Sequence, residues 1–257
     1  METFFTAEIL SALLTLTFLE IVLGIDNILF VSIIAGKLSP KNQKRAIGIG
    51  LAMAMILRLV LLLGISVLMR MQAVWLKLDN NMMYAEISGQ ALILFLGGLF
   101  LLYKSTKEIY EKVELNIDEK HRPTVDTSLT KAILQITLIN LVFSVDSILT
   151  ALGMSNGLPY ASLVMGIAIV FSVLIMMLFA HPVGNFVNQH PSLQVLGLSF
   201  LLLIGFMLLA EAAHLSQVKI LDQEVGSIPK GYLYFAIAFS LGVEFINMKV
   251  RGKPKQS

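Results

Sequence analysis

Apolar residues are gathered in seven long stretches that are separated by polar segments. The stretches cover about residues 9–35, 46–69, 87–103, 132–152, 160–180, 193–210 and 232–248. A helix that crosses the hydrocarbon core of a bilayer needs about 20 mostly apolar residues, which is close to the length of these runs. The pattern predicts an all-α membrane protein with about seven transmembrane helices, in which residues 1–257 form a single transmembrane domain.

The composition agrees with a chain that is embedded in lipid. Hydrophobic residues make up 56% of it and charged residues 14%, whereas soluble domains have about 45–50% and 25%. The chain has no cysteine, which excludes disulfides and thiolate metal sites. The first apolar stretch follows no basic segment and is long enough to span a bilayer, so we expect it to be retained rather than cleaved as a signal peptide.

The polar segments between the stretches differ in length and charge. Residues 37–45 are short and basic, and residues 156–159 are expected to form a tight turn. Residues 104–131 form a long charged loop that we expect to begin as helix, because its Lys and Glu residues are spaced for i,i+3 and i,i+4 pairs. Residues 181–182, His-Pro, are interpreted as an interfacial turn after the fifth span, and residues 214–230 as a longer loop.

Lysine and arginine are divided unequally between the two sides of the predicted membrane. With seven spans, one side receives fourteen of them and the other side four, while Arg58 lies within the second span and completes the nineteen. Cytoplasmic segments of membrane proteins are the ones enriched in Lys and Arg. We therefore predict a multi-pass membrane protein with the N-terminus outside, a cytoplasmic loop at 104–131 and a cytoplasmic C-terminus.

Two segments of the chain resemble each other at a spacing of 120 residues. Residues 16–29 align with residues 136–149, and Asp26 then matches Asp146. Two further polar positions align, Glu20 with Asn140 and Asn27 with Ser147. Apolar helices resemble one another by chance, but matched polar positions are harder to explain in that way. The alignment predicts an internal repeat.

The repeat also defines an architecture. The third and sixth stretches are similar around Gly98 and Gly205, so repeat one would cover about 9–103, repeat two about 132–210, and an extra helix about 232–248. Because each unit has three helices, the second must insert upside down relative to the first. Inverted repeats of this kind place substrate sites near the bilayer midplane, where equivalent segments meet.

Ionisable residues lie inside four of the predicted spans. Glu20, Asp26, Asp146 and Glu244 are acids in this position, and Arg58 is a base. A charged side chain at the centre of a spanning helix costs about 2.5–3.5 kcal/mol on insertion scales. The excess of acids must be neutralised by protons, by Arg58 or by a bound cation.

The first span contains a glycine at which the helix is predicted to break. In a regular helix Glu20, Gly24 and Asn27 share one face, and Asp26 lies about 100–120° away. A break at Gly24 would let Asp26 and Asn27 face one cavity and would free backbone carbonyls, as in the discontinuous helices of transporters.

The candidate ligands are hard oxygen donors. Carboxylate, amide and hydroxyl groups suit magnesium, calcium or manganese. The predicted metal ligands are Asp26, Asp146, Glu20, Asn27, Asn140, Ser147 and Glu244. Structural roles stay open for them: hydrogen bonds between packed helices for the Asp, Asn and Ser residues, and an ion pair with Arg58 for Glu20. The chain shows no nucleophile–base pair, phosphate loop or HExxH motif, so we expect neither an enzyme nor a tightly bound cofactor.

Three segments resemble signatures of the TerC family, which is named for tellurium resistance. They are residues 19–28 (Leu-Glu-Ile-Val-Leu-Gly-Ile-Asp-Asn-Ile), 143–148 (Phe-Ser-Val-Asp-Ser-Ile) and 234–247, and the resemblance extends over the whole membrane region. It implies an architecture related to the LysE exporter superfamily. It also implies that the family's intramembrane polar positions are matched by Glu20, Asp26, Asn27, Asp146 and Glu244. Members of that family are implicated in manganese export, in metal supply to secreted enzymes, in tellurite resistance and in membrane assembly.

These observations predict a transporter that exports a divalent cation, above all manganese, by alternating access between the repeats and with proton antiport. Its expected partners are the lipid bilayer and the metal ion, with no nucleic acid; homo-oligomerisation stays open. Two alternatives also stay open. One is a membrane assembly or secretion-associated factor, and the other is a transporter of another substrate, although an oxyanion would require more basic residues at the midplane than Arg58.

Overall fold

The computed structural model describes residues 6–80, 83–113, 128–155, 160–221 and 223–251. Eight helices lie in these ranges: α1 (Ala7–Ala35), α2 (Pro40–Leu63), α3 (Ile65–Arg70), α4 (Gly89–Val113), α5 (Leu129–Met154), α6 (Ala161–Gln189), α7 (Pro191–Leu215) and α8 (Lys230–Arg251). Four strands accompany them: β1 (Val74–Asn80), β2 (Met83–Ser88), β3 (Lys219–Ile220) and β4 (Gln223–Glu224). The predicted tight turn at 156–159 and residues 114–127 of the charged loop lie outside the described residues.

Six of the described helices are long and apolar enough to cross a membrane, and α1 is a seventh if its two bent parts are one span. The predicted all-α membrane protein with about seven spans is therefore confirmed. The helices are longer than the apolar runs, because polar residues continue them beyond the hydrocarbon core. Pro40 begins α2 at a position where its missing N–H has no helical partner to lose. The expected helical start of the charged loop is present as the end of α4, where Lys104 and Glu108 pair at 2.9 Å.

Helix α1 bends but does not unwind. Its parts Ala7–Val22 and Asn27–Ala35 meet at 41°, while helical structure continues throughout Ala7–Ala35. The interruption predicted at Gly24 is therefore present as a bend between two helical parts, while the continued helix does not show the freed carbonyls that were predicted with it. Glycine is a frequent point of bending, and Gly24 also permits a close approach of α6, since a Cβ there would overlap the Met176 sulfur.

The predicted turn at His181 and Pro182 is also wrong. Both residues lie inside α6, which continues to Gln189. Proline removes a backbone hydrogen bond but is tolerated in membrane helices, where neighbouring groups satisfy the freed carbonyl. Two turns of helix therefore extend past the point where the apolar run ends.

A small antiparallel sheet, in the order β1-β2-β3-β4, was not foreseen in the segments between the spans. Leu78 lies opposite Ala85 and Lys77 opposite Glu86, so neighbouring positions alternate between apolar and polar. Strand β2 also pairs with β3, which joins the segment before α4 to the segment after α7. Both segments therefore lie at one end of the helix assembly, called here the sheet end.

The principal helix packing is between α1 and α6, between α2 and α5, and between α4 and α7. In the predicted repeat α1 corresponds to α5, α2 to α6 and α4 to α7. Exchange of the two halves then turns the α1–α6 pair into the α5–α2 pair and leaves the α4–α7 pair unchanged. Gly98 and Gly205, which the sequence alignment matched, meet where α4 crosses α7: a Cβ on Gly98 would lie 2.9 Å from the carbonyl oxygen of Gly205. The inverted repeat stays a prediction, and this packing is of the kind it requires.

Candidate ion-transport site

A buried ion pair joins the first two spans. The Arg58 Nη1 atom lies 2.5 Å from the Glu20 Oε2 atom, and each side chain is only 2% exposed. Arg58 Nε also donates to the Ser144 hydroxyl on α5 at 3.1 Å. Of the two roles left open for Glu20, the structure shows the pair with Arg58. Three helices are thus joined around one guanidinium by charge-assisted hydrogen bonds, which are stronger than neutral ones.

Two of the polar residues predicted on α5, Asn140 and Ser147, are buried and bond to their own helix. Asn140 donates to the carbonyl of Ile136 at 2.9 Å, and Ser144 donates to the carbonyl of Asn140. Ser147 donates to the carbonyl of Ser144 at 3.3 Å. Such bonds satisfy polar side chains inside an apolar helix. Ser144 was missed by sequence reasoning because its match in the repeat is Gly24, which carries no polar group.

Asn27 has a different environment. It is 1% exposed, and neither its amide nitrogen nor its amide oxygen has a hydrogen-bond partner within the described part of the chain. Leaving a buried polar group unsatisfied costs about 1–3 kcal/mol, and such groups are uncommon in native proteins. The residue follows directly after the bend in α1. Its amide oxygen is a hard donor that is available to a ligand.

The two aspartates are placed by backbone only. Asp26 precedes Asn27 in α1, and Asp146 precedes Ser147 in α5; their side chains lie outside what the structure describes. Helices α1 and α5 are in contact. Among the described side chains, which do not include these two, no three His, Asp or Glu residues form a group that could hold a metal. The carboxylate core of the predicted site therefore stays a prediction.

Glu244 is separated from the Arg58 centre. It lies on α8, which packs mainly on α7. The residues of α8 that line a cavity with Arg58 are Leu233 and Tyr234, and Glu244 lies roughly 15 Å further along the helix axis than Tyr234. The structure therefore does not bring Glu244 to the ion pair.

Two neighbouring cavities lie between Arg58 and the sheet end. Arg58 and Ser147 line a cavity of about 60 Å³ together with Glu211 and Lys230. Glu211 and Lys230 also line a second cavity of about 590 Å³, bounded by the ends of α3 and α5 and the start of α4. Lys230 donates to the Thr150 hydroxyl at 2.8 Å. Sequence reasoning missed this lining, because only packing shows which helix ends surround one space.

The other end is held together by ion pairs. Glu108 on α4 is 2% exposed and lies 2.5 Å from Lys37, just after α1, and 2.9 Å from Lys104. Lys37 also lies 3.1 Å from Glu111. Burial by itself would lower the pKa of Lys37, but the hydrogen bonds and charges of Glu108 and Glu111 raise it above its ordinary value. The cluster keeps Lys37 charged and ties α1 to α4.

Similar proteins are known in bacteria. The chain is 43% identical over 242 residues to the UPF0053 inner membrane protein YgdQ of Escherichia coli, covering 94% of this chain and 93% of that protein. A UPF0053 protein of Haemophilus influenzae is 41% identical over 240 residues, 93% of each chain. The UPF0053 inner membrane protein YoaE of Escherichia coli is 41% identical over 261 residues, which are 98% of this chain and 45% of that longer protein.

No solved structure matches the chain. The sequence profile of the integral membrane protein TerC family matches residues 5–256, nearly the whole length. The match includes the bent helix α1, the buried pair of Glu20 and Arg58 and the polar face of α5. This chain is a member of the integral membrane protein TerC family.

Proposed function

We propose that this protein is a transporter that exports a divalent metal cation, with manganese as the expected cargo, across the bacterial inner membrane. The observation that carries the proposal is Asn27, a buried amide without a hydrogen-bond partner among the described residues, at the bend of α1 and next to Asp26. Amide and carboxylate oxygens are both donors that hard cations prefer. The inner-membrane location follows the names of the Escherichia coli relatives.

The charge balance supports a divalent cargo. Arg58 pairs with Glu20, so Asp26 and Asp146 need other compensation inside their helices. Two carboxylates are neutralised either by two protons or by one divalent cation. Because carboxylates must lose protons before they bind a metal, inward protons and outward metal would compete for the same site, which supports antiport.

The two ends of the molecule support alternating access. The cavity near Arg58 shares Glu211 and Lys230 with the larger cavity at the sheet end, while the Lys37 and Glu108 pair links helices at the opposite end. Under the orientation predicted from Lys and Arg, the sheet end faces outward. The conformation then corresponds to the state in which an exporter releases its cargo, and the return step would open the Lys37 end.

The test is manganese flux in proteoliposomes of the pure protein, with and without a pH gradient. We expect the parent protein to transport manganese, and Asp26→Asn and Asp146→Asn to abolish transport while the proteins still insert and fold. Asp79→Asn, an exposed position on β1, is the matched control and should transport like the parent.

Normal transport by either variant of the predicted site would contradict the site assignment. No flux of manganese, magnesium or calcium by folded parent protein would contradict the transporter and favour a membrane assembly factor. Flux that all variants share, including Asp79→Asn, would point to leakage and not to this site.

A further inference from the structure

Arg58 is a permanently charged side chain in an unusual place. It is among the largest fully buried side chains in the described part of the protein. A guanidinium stays protonated in every accessible environment, so this charge cannot be removed by releasing a proton. Its compensation must come from a neighbouring group, and Glu20 supplies it at 2.5 Å.

The guanidinium also has space beside it. Arg58 lines the cavity of about 60 Å³ that Ser147, Glu211 and Lys230 share. The cavity is the space into which the guanidinium would shift away from Glu20. The Ser144 hydroxyl holds the Nε atom at 3.1 Å and would act as the pivot of such a shift.

We propose that Arg58 is a tethered stand-in for the transported cation: it holds the Glu20 carboxylate while the site is empty and yields it when a divalent cation enters. This inference rests on the proposed function. It assigns a positioning role to a residue of α2 that supplies no metal ligand itself. A side chain fixed to the protein competes at a high effective concentration, so it can fill the site immediately after the cargo leaves.

The surroundings distinguish a stand-in from a purely structural clamp. A structural ion pair is stable when every polar group around it is satisfied. Here Asn27, about two turns from Glu20 on the same helix, has no partner within the described residues, and the guanidinium borders a cavity that neighbours the larger one at the sheet end. The proposed site thus has an unused oxygen donor on α1 and space beside the guanidinium, although the charge of the ion pair itself is already balanced.

The role has two consequences that a clamp would not share. Without the guanidinium, a cation no longer has a competitor at Glu20, so it should bind more tightly. The empty carrier, which means the carrier without metal whether or not its aspartates are protonated, would however hold a Glu20 carboxylate that no guanidinium compensates. Such a charge inside a span is costly, so the return step should be slow. Exchange of metal for metal avoids the empty state and should persist.

The test uses proteoliposomes of the full chain loaded with radioactive manganese. Net efflux into metal-free buffer requires return of the empty carrier, and efflux into buffer with unlabelled manganese measures exchange. For Arg58→Gln we expect net efflux to fall about tenfold or more, since an uncompensated charge inside a span should slow the return step by more than a factor of about ten. Exchange should continue, at a manganese concentration for half-maximal rate several-fold lower than in the parent.

Two further variants guard against misfolding. Arg58→Lys keeps a positive charge and should restore much of the net efflux. Ser144→Ala removes the pivot hydrogen bond, together with the bond from that hydroxyl to the Asn140 carbonyl on its own helix, and should change both quantities in the same direction as Arg58→Gln, but less. Arg70→Gln, an exposed arginine at the end of α3, is the matched control and should behave like the parent.

The outcomes separate this inference from the function on which it rests. Two results would overturn the stand-in role alone, provided that the parent protein transports manganese. In the first, Arg58→Gln keeps normal net efflux. In the second, Arg58→Gln loses net efflux and exchange equally and binds manganese more weakly. If Arg58→Gln does not fold, parental behaviour of both Arg58→Lys and Ser144→Ala overturns it. A folded parent that carries no manganese in either mode refutes the proposed function, and the stand-in role with it.

Discussion

The crossing of α4 and α7 predicts a stability change that can be worked out from the structure. Gly98 and Gly205 face each other there, and a Cβ on Gly98 would lie 2.9 Å from the carbonyl oxygen of Gly205 and 3.0 Å from Leu209. The Leu209 side chain can turn away, but the carbonyl oxygen belongs to the backbone of α7. Gly98→Ala can therefore be accommodated only if the two helices separate slightly.

The magnitude follows from two opposing terms. Overpacking of a close contact costs about 1–3 kcal/mol, whereas replacing a helical glycine by alanine gains about 0.5–1 kcal/mol. We expect Gly98→Ala to lower the free energy of unfolding by about 1–2 kcal/mol. Gly205→Ala should cost a similar amount, because its Cβ would meet Leu102 at 3.0 Å and the Gly98 carbonyl oxygen at 3.2 Å.

The assay is unfolding of the purified protein in mixed micelles by increasing fractions of a denaturing detergent, followed by circular dichroism. Gly48→Ala is the matched control, because Gly48 also lies in a spanning helix and nothing stands within 4 Å of its Cβ position. It should be as stable as the parent or more so. If Gly98→Ala unfolds at the same point as Gly48→Ala, the close crossing of α4 and α7 is refuted.

Two other predictions concern single polar residues. Asn27→Leu removes an amide that has no described hydrogen-bond partner, so the variant should be as stable as the parent or up to about 1–3 kcal/mol more stable, yet lose manganese flux. Detergent unfolding measures the stability and the proteoliposome assay measures the flux. A destabilised variant would show that the amide has a partner and would contradict the reasoning. Hydrogen bonds from Lys77 and Tyr84 hold the pKa of Glu86 below its ordinary 4.5. Glu86→Gln should therefore lower the free energy of unfolding by its full amount above pH 4.5, and this difference from the parent should vanish as the pH falls through the depressed pKa. Unfolding of both proteins at stepped pH tests this, and a difference that persists in strong acid would contradict it.

Much of the fold could be predicted from the sequence, because a bilayer imposes a simple requirement. Any run of about 20 apolar residues satisfies its backbone internally as a helix when it crosses the hydrocarbon core. The spans were therefore visible without knowledge of their neighbours, and the helical continuation through Lys104 and Glu108 was visible from local charge spacing. The sheet was not visible, since β2 finds its second partner β3 more than a hundred residues away in the chain.

The candidate site could be predicted only as a set of residue types. Acids, amides and hydroxyls inside apolar helices are recognisable from sequence because each is costly there. Which of them meet depends on how the helices pack. Glu20 and Arg58 are 38 residues apart and on different helices, so their pairing could be offered only as one alternative. Glu244 has the same chemistry, but α8 lies at the edge of the assembly and does not bring it to the Arg58 centre.

The sequence by itself determined that this protein is a helical membrane protein with acids inside its spans, because both properties follow from the chemistry of single residues and short runs. The tertiary structure decided that Arg58 neutralises Glu20, that Asn27 is left without a partner among the described residues, and that cavities lie between Arg58 and the sheet end. The physical reason is that charge compensation and cavities arise between helices, where distant residues come within a few ångströms of one another.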